Sequence, residues 1–281
     1  MTARLLAIAI VFLSGLAMRA QTPTFSTRIE SVRVDAMVTD RDQPVLGLTA
    51  RDFEILDNGV PQQIDTVSFD EVPLNVVLAL DMSKSVAGDR LVHLRSGGQA
   101  VLDGLRKGDQ AALVMFESMI ALGSGLTSDI AAVRKGLESA VPYGETSLVD
   151  GTYAAIVVGE ADAGRALIIA FSDGLDTSSW LSPAVVVDIA RRSDAVVYAV
   201  SINRAKDDFL KEIAAVTGGG VFEVEKTANL PAVFSNILRE FRHRYLLSYS
   251  PRGVAKEGWH QLTVRVKRGT VKARSGYLAG S

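Results

Sequence analysis

The 281-residue sequence contains no cysteine. Disulfides, thiolate zinc sites and thiol nucleophiles are therefore excluded. Charge of one sign is not in excess either. Thirty Lys+Arg face 32 Asp+Glu, for a net charge of -2, so the basic surplus of a general nucleic-acid binder is absent. Aromatic residues amount to 6%, which does not suggest stacking platforms for bases or sugars. No P-loop, H-E-x-x-H or G-x-S-x-G string occurs. Apolar runs also stay short of the roughly 20 residues that span a bilayer as a helix.

The longest apolar run, Leu5 to Ala17, follows Arg4 and counts 13 residues, with small residues up to Ala20. A basic start, a short apolar centre and small residues make a secretory signal peptide. Residues 1–20 are therefore expected to be removed, with cleavage after Ala17 or Ala20. The mature chain is expected to be exported, periplasmic or secreted, with no membrane span.

Three stretches of different periodicity follow. Over residues 27–72 the pattern is two-fold. Val32, Val34, Ala36 and Val38 alternate with Arg33, Asp35, Met37 and Thr39, as in a half-buried strand. Asp40 to Pro44 and Asp57-Asn58-Gly59 read as turns. Over residues 73–243 apolar strands alternate with helical patterns, giving an α/β, doubly wound domain with a mostly parallel central sheet. Its strands are expected at Asn75–Leu80, Ala111–Phe116, Ala166–Phe171, Ala195–Ser201 and Gly220–Val224. Residues 244–281 return to two-fold alternation, at Tyr245, Leu247 and Tyr249 and at Leu262, Val264 and Val266. Neither β stretch is large enough to stand alone, so the two are expected to pack together into a small β region.

The chemistry concentrates after the first apolar strand of the central region. Leu78-Ala79-Leu80-Asp81-Met82-Ser83-Lys84-Ser85 sets one carboxylate and two hydroxyls at alternate positions. Ligands of open α/β sheets bind outside the carboxyl ends of strands, and an extended turn there would let Asp81, Ser83 and Ser85 converge. Asp173 ends another apolar strand, and Thr146 lies in the loop before a helix. The five side chains form an all-oxygen set. Hard dications prefer oxygen, and magnesium favours six-coordinate sites that borrow groups from a ligand. Mg2+ is thus the expected cofactor, with Mn2+ or Ca2+ as alternatives, and the metal stays electrophilic toward an incoming carboxylate.

Asp81-x-Ser83-x-Ser85, followed by Thr146 and Asp173, resembles the metal-ion-dependent adhesion site of the von Willebrand factor type A family over about Pro73 to Arg242. Two further motifs, Val45-x-Gly47-Leu48-Thr49-x-x-Asp52-Phe53 and Tyr245-Leu246-Leu247-Ser248-Tyr249-Ser250-Pro251 with Arg274-x-Gly276-Tyr277, resemble the acidobacterial-type proteins related to that family. Val86 departs from the methionine that many members carry after the second serine. The resemblance implies a Rossmann-like domain with metal on its top edge and a protein partner whose acidic group completes the metal shell. It implies a non-enzymatic binding or adhesion module.

Two rival readings stay open. A magnesium-dependent phosphohydrolase of haloacid dehalogenase type also places an aspartate after the first strand. It generally needs a second acid two residues on, where this chain has Ser83. A structural domain with a vestigial site is the other. Lys84, Tyr143 and Glu145 are expected at the rim of the site, and Asp176, Thr177 and Ser178 in a solvated loop. The basic cluster Arg239, Arg242, His243 and Arg244 reads as a solvated helix end. Arg265, Lys267, Arg268, Lys272 and Arg274 read as an exposed strand face, and His243 and His260 as histidines without a paired acid.

Overall fold

The computed structural model describes residues 31–202 and 208–280. The expected signal peptide lies outside the described residues. Five strands come before the central region: β1 (Val32–Asp40), β2 (Gln43–Pro44), β3 (Phe53–Asp57), β4 (Val60–Gln62) and β5 (Ile64–Phe69). The central region then runs β6 (Leu74–Asp81), α1 (Asp89–Asp103), β7 (Gln110–Phe116), β8 (Ile120–Thr127), α2 (Ile130–Ser139) and α3 (Leu148–Gly159). It continues with β9 (Arg165–Ser172), α4 (Pro183–Arg192), β10 (Val196–Ile202), α5 (Asp208–Thr217), β11 (Val221–Val224) and α6 (Leu230–Arg242). Four strands close the chain: β12 (Arg244–Tyr249), β13 (Gly258–Val266), β14 (Thr270–Lys272) and β15 (Gly276–Ala279).

The central sheet has the order β11-β10-β9-β6-β7-β8. All its pairings are parallel except that of β7 with β8. Every residue of β6 and of β9 is buried, as parallel strands with both faces covered must be. Alternate side chains feed two cores. Val76, Leu78 and Leu80 join Leu94, Val101, Phe234 and Ile237 of α1 and α6. Val77 and Ala79 join Leu148, Ile156, Val187 and Ile213 of α3, α4 and α5. The helices start where local chemistry permits: Pro183 and Pro231 occupy first turns, where their missing N–H groups have no partner to lose.

The five apolar strands lie close to their expected positions, with helices between them. β8 was not legible, because it is an exposed edge strand interrupted by Gly123 and Gly125. Gly136 of α2 packs so close to it that a Cβ there would sit 2.7 Å from the Gly123 carbonyl oxygen.

The flanking strands form two antiparallel sheets, one containing β14-β1-β12-β5 with β2 on β1, the other β15-β13-β3-β4. β1 pairs with β12 from Val32 opposite Tyr249 to Met37 opposite Arg244. The two sheets share one apolar core that includes Val34, Ala36, Ile55, Tyr245, Leu247 and Leu262. The turn at Asn58-Gly59 has positive φ at both residues, which favours a tight hairpin between β3 and β4.

Buried arginines connect this β unit to the central domain, and they correct two expectations. Arg242 and Arg244 are not at a solvated helix end. Arg242 pairs with Asp109 at 2.5 Å, and Arg244, fully buried, donates to the Gly218 carbonyl at 2.5 Å and to the Tyr198 hydroxyl at 3.1 Å. Arg274 is not on an exposed strand face either; it is buried and donates to the Ser193 carbonyl at 2.8 Å. Arg265 and Arg268 do lie exposed, beside Glu54 and Asp40. Arg165 on β9 pairs with Asp35 on β1, both side chains buried, and lies 4.8 Å from the Phe241 ring.

His260 also differs from expectation, since it does have an acid. Its Nδ1 lies 2.7 Å from Asp57 Oδ1, while Tyr249 and Tyr277 donate to Asp57 Oδ2 at 2.8 and 2.9 Å. Burial, and next the hydrogen bond to Asp57, push the Tyr249 phenol far above its ordinary range. This cluster ties β3, β12, β13 and β15 together inside the core.

The Arg165–Asp35 pair gives a direct test of the connection. Asp35→Ala strands a buried guanidinium, and about 3–5 kcal/mol of unfolding free energy should be lost in urea titrations. Replacing both partners, as Asp35→Leu with Arg165→Met, should recover most of that loss. A loss below about 1 kcal/mol for Asp35→Ala would mean that water solvates Arg165 and that the pair does not hold the two units together.

Candidate metal site

The chain leaves β6 for β7 on one flank of the sheet and later returns to β9 on the other. This reversal opens a crevice outside the carboxyl ends of β6 and β9. Asp81 closes β6 on one side of it. Ser172 closes β9 on the other, and Asp173 follows immediately.

Backbone hydrogen bonds extend the order of β6 by one residue. The Met82 N–H donates to the Phe116 carbonyl at 2.8 Å, and the Met82 carbonyl accepts from the Tyr143 N–H at 2.7 Å. The next residues depart from the extended turn expected from sequence: Lys84–Val86 form one 3₁₀ turn. That turn folds Ser85 back until its Oγ lies 3.0 Å from Ser83 Oγ. The Lys84 N–H donates to the Gly144 carbonyl at 3.3 Å, holding the serine turn against the loop that carries Thr146. Gly144 has φ +69 and sits where a Cβ would collide with Glu117 and Ser118, so only glycine fits there.

Asp81 is fully buried. Its Oδ1 accepts from the Ser83 N–H at 2.9 Å, and its Oδ2 lies 2.8 Å from the Ser172 hydroxyl. Burial pushes its carboxyl above the ordinary range, and the Asp173 charge adds to that effect. The hydrogen bonds from Ser83 and Ser172 oppose it without cancelling it. Asp173 Oδ1 accepts from the Ser85 hydroxyl at 2.6 Å, and its Oδ2 accepts from Arg90 Nη1 at 2.5 Å. Asp81, Ser83, Ser85 and Asp173 are thus brought into one hydrogen-bonded cluster.

Thr146 is placed beside the cluster. Its carbonyl accepts from the Thr177 and Ser178 N–H groups at 2.9 and 3.1 Å. Its Oγ1 faces Gly174, lying 3.9 Å from where a Cβ on that residue would be. The rim residues Lys84, Tyr143 and Glu145 are exposed, and the Lys84 ammonium stands 5.6 Å from the Tyr143 ring centroid.

The segment after Asp173 is a loop with Asp176 and Thr177 exposed, as expected, and it is also fastened to the start of α3. Asp176 Oδ1 accepts from the Val149 N–H at 3.2 Å and from Ser179 Oγ at 2.6 Å. Thr177 Oγ1 accepts from the Thr146 N–H at 3.1 Å. In return, Asp150 accepts from the N–H groups of Trp180 and Leu181, both at 2.9 Å. Sequence reasoning missed Ser172, Arg90 and Asp150. Arg90 carried a usable signal: a cation in the first turn of a helix opposes the macrodipole and calls for a local anion.

Among the described residues, no three histidine, aspartate or glutamate side chains form a metal cage. A metal here would depend on hydroxyls as well as carboxylates. The oxygens present suit a hard dication. Adjacent oxygens of a magnesium octahedron are about 2.9 Å apart, given Mg–O bonds near 2.0–2.1 Å. Ser83 Oγ to Ser85 Oγ and Ser85 Oγ to Asp173 Oδ1, at 3.0 and 2.6 Å, bracket that value. The donor chemistry therefore fits Mg2+ or Mn2+ better than a nitrogen- or sulfur-seeking ion.

Comparisons with known proteins agree with this architecture. The model of the von Willebrand factor type A domain matches residues 75–236. A UPF0353 protein of Mycolicibacterium paratuberculosis is 26% identical over 239 residues, covering 72% of this chain and 70% of that protein. The human calcium-activated chloride channel regulator 4 is 28% identical over 165 residues, 54% of this chain. The match takes in only 17% of that much longer relative. A solved structure of proximal thread matrix protein 1 from the mussel byssus, with a zinc occupied MIDAS motif, shares the fold at TM-score 0.56. It has 17% identity and covers 66% of this chain and 49% of its own.

The raised carboxyl of Asp81 has a consequence for stability without metal. A folded pKa above the ordinary 3.8 means that the fold favours the protonated acid. The associated stabilisation is complete below about pH 4 and is lost as pH rises through the raised value. Asp81→Asn mimics the neutral form, and the Ser172 hydroxyl can turn to the Gly174 carbonyl, 3.0 Å away. In chelator at neutral pH this variant should unfold at higher urea than the parent, with the advantage vanishing below about pH 4. A variant less stable than the parent at neutral pH would show that Asp81 is not strained by its burial.

Proposed function

This chain belongs to the von Willebrand factor type A domain family, and on that premise we propose that it is an exported, non-enzymatic binding module. A divalent cation, Mg2+ or Mn2+, is held by Asp81, Ser83, Ser85, Asp173 and the neighbouring Thr146, and captures an acidic group on a protein partner. One observation carries the reading: two carboxylates and two hydroxyls from separate loops converge at the sheet's switch point. When bound, the metal supplies an electrophilic centre for the partner's carboxylate. The protein's own residues position it. Ser172 and the Ser83 N–H orient Asp81, and the 3₁₀ turn presents the two serines.

The surroundings suit a protein ligand. Tyr143, Leu175 and Trp180 are exposed on the loops next to the site, Trp180 at 93% of its surface. Exposed apolar groups beside a charged centre are typical of contact surfaces. The mussel thread protein's zinc occupied MIDAS motif supports the metal assignment by likeness of fold. The flanking motifs around Val45–Phe53, Tyr245–Pro251 and Arg274–Tyr277 support membership of the acidobacterial-type subgroup. We take residues 27–72 and 244–281 as one β unit bracketing the metal-binding domain of residues 73–243. The phosphohydrolase reading gains no support from the geometry: Ser83 stands where the second acid is needed, and its hydroxyl is engaged with Ser85.

Isothermal titration of the purified chain with magnesium and manganese chloride tests the assignment. Binding is expected for the parent, and Asp81→Ala or Asp173→Ala should abolish it. Unchanged affinity in both variants would reject the site. Capture from cell-envelope extract should likewise yield a partner with magnesium and lose it with chelator.

A further inference from the structure

Arg90 holds the outward oxygen of Asp173, and its setting is unusual for a surface arginine. It lies in the first turn of α1, where the helix dipole disfavours a cation. It nevertheless reaches back over the serine turn. Its Nη1 lies 2.5 Å from Asp173 Oδ2 and donates at 3.1 Å to the Ser85 carbonyl. The Asp173 side chain is fully shielded from solvent, whereas that of Arg90 is 42% exposed. Arg90 is therefore the layer between Asp173 and water.

Charge explains why a cation belongs there. The Asp173 charge disfavours ionisation of the buried Asp81. Two neighbouring buried carboxylates need a counter-charge, and the guanidinium supplies half of it. Its long apolar stem and half-solvated head let the guanidinium swing into water, and an entering dication would replace its charge at the shielded Asp173. A dication entering the oxygen cluster needs the same carboxylate and carries twice the charge. Guanidinium and dication also repel one another across that distance.

We propose that Arg90 is an internal, exchangeable counter-ion that competes with the divalent metal for Asp173. It sets the metal concentration at which the binding module becomes competent. The inference rests on the metal-binding reading above and adds a residue outside the five oxygen ligands. Without metal, Arg90 caps Asp173 and keeps the cluster folded. With metal, the pair opens and the guanidinium moves to the rim, adding positive charge where an acidic partner would dock.

The test is magnesium and manganese titration calorimetry on the parent, Arg90→Gln, Arg90→Lys and Asp81→Ala chains, with thermal melts in chelator. Arg90→Gln should bind both metals about three- to ten-fold more tightly than the parent. It should melt lower than the parent in chelator and gain more from added metal. Arg90→Lys keeps the charge but loses the planar fork, and it should fall between the two. Equal or weaker metal affinity in Arg90→Gln, with the parent binding normally, would overturn the competition and leave the metal site standing. If parent and Arg90 variants all behave like Asp81→Ala, the metal reading itself fails. Metal binding by Arg90→Gln but not by the parent would be the strongest support.

Discussion

A carboxylate buried at the end of a strand that is itself buried on both faces governs the organisation of this molecule. Asp81 is dry because β6 runs through the middle of a parallel sheet with helices on either side. Its charge is eased by the two donors that reach it, the Ser83 N–H and the Ser172 hydroxyl. The same topology that dehydrates Asp81 also brings Asp173 to it, because β9 is the neighbour of β6 on the side opposite β7. Two acids forced together in a low-dielectric crevice create the demand for a cation. Hydroxyls on a tight turn then provide neutral oxygens without adding to the repulsion.

The flanking β unit contributes rigidity at a distance from that crevice. β1 and β12 come from opposite ends of the described chain and pair along six residues, so the central domain begins and ends at one anchored place. The connection is polar as well as apolar. Arg165, Arg244 and Arg274 each pass from one unit to acceptors in the other. Arginine suits this task because its planar fork can satisfy several carbonyls while its stem packs on rings such as Phe241. With no cysteine available, buried arginine forks and the Asp57–His260–tyrosine cluster do the cross-linking that disulfides perform in many exported domains.

Much of the central domain could be read from sequence because buried parallel strands leave continuous apolar runs, and residues 76–80 and 166–171 are such runs. The candidate oxygens were legible for a related reason: polar residues directly after an apolar strand stand out. What escaped was set by distant partners. β8 has little apolar signal because it is an exposed edge. Arg242, Arg244 and Arg274 look like surface residues until the fold supplies Asp109, Gly218 and Ser193. His260 and Asp57 are 203 positions apart, and nothing local to either announces the other. Asp176 resembles an ordinary loop residue, yet it caps the start of α3 from across the crevice.

The most direct measurement is the anomalous difference map of a crystal of this chain grown with manganese. The account predicts one strong peak at the carboxyl end of β6, within bonding distance of Ser83 Oγ and Ser85 Oγ, with Asp81 and Asp173 alongside. No peak there, or a peak elsewhere on the molecule with the Ser85–Asp173 and Arg90–Asp173 contacts intact, would contradict it.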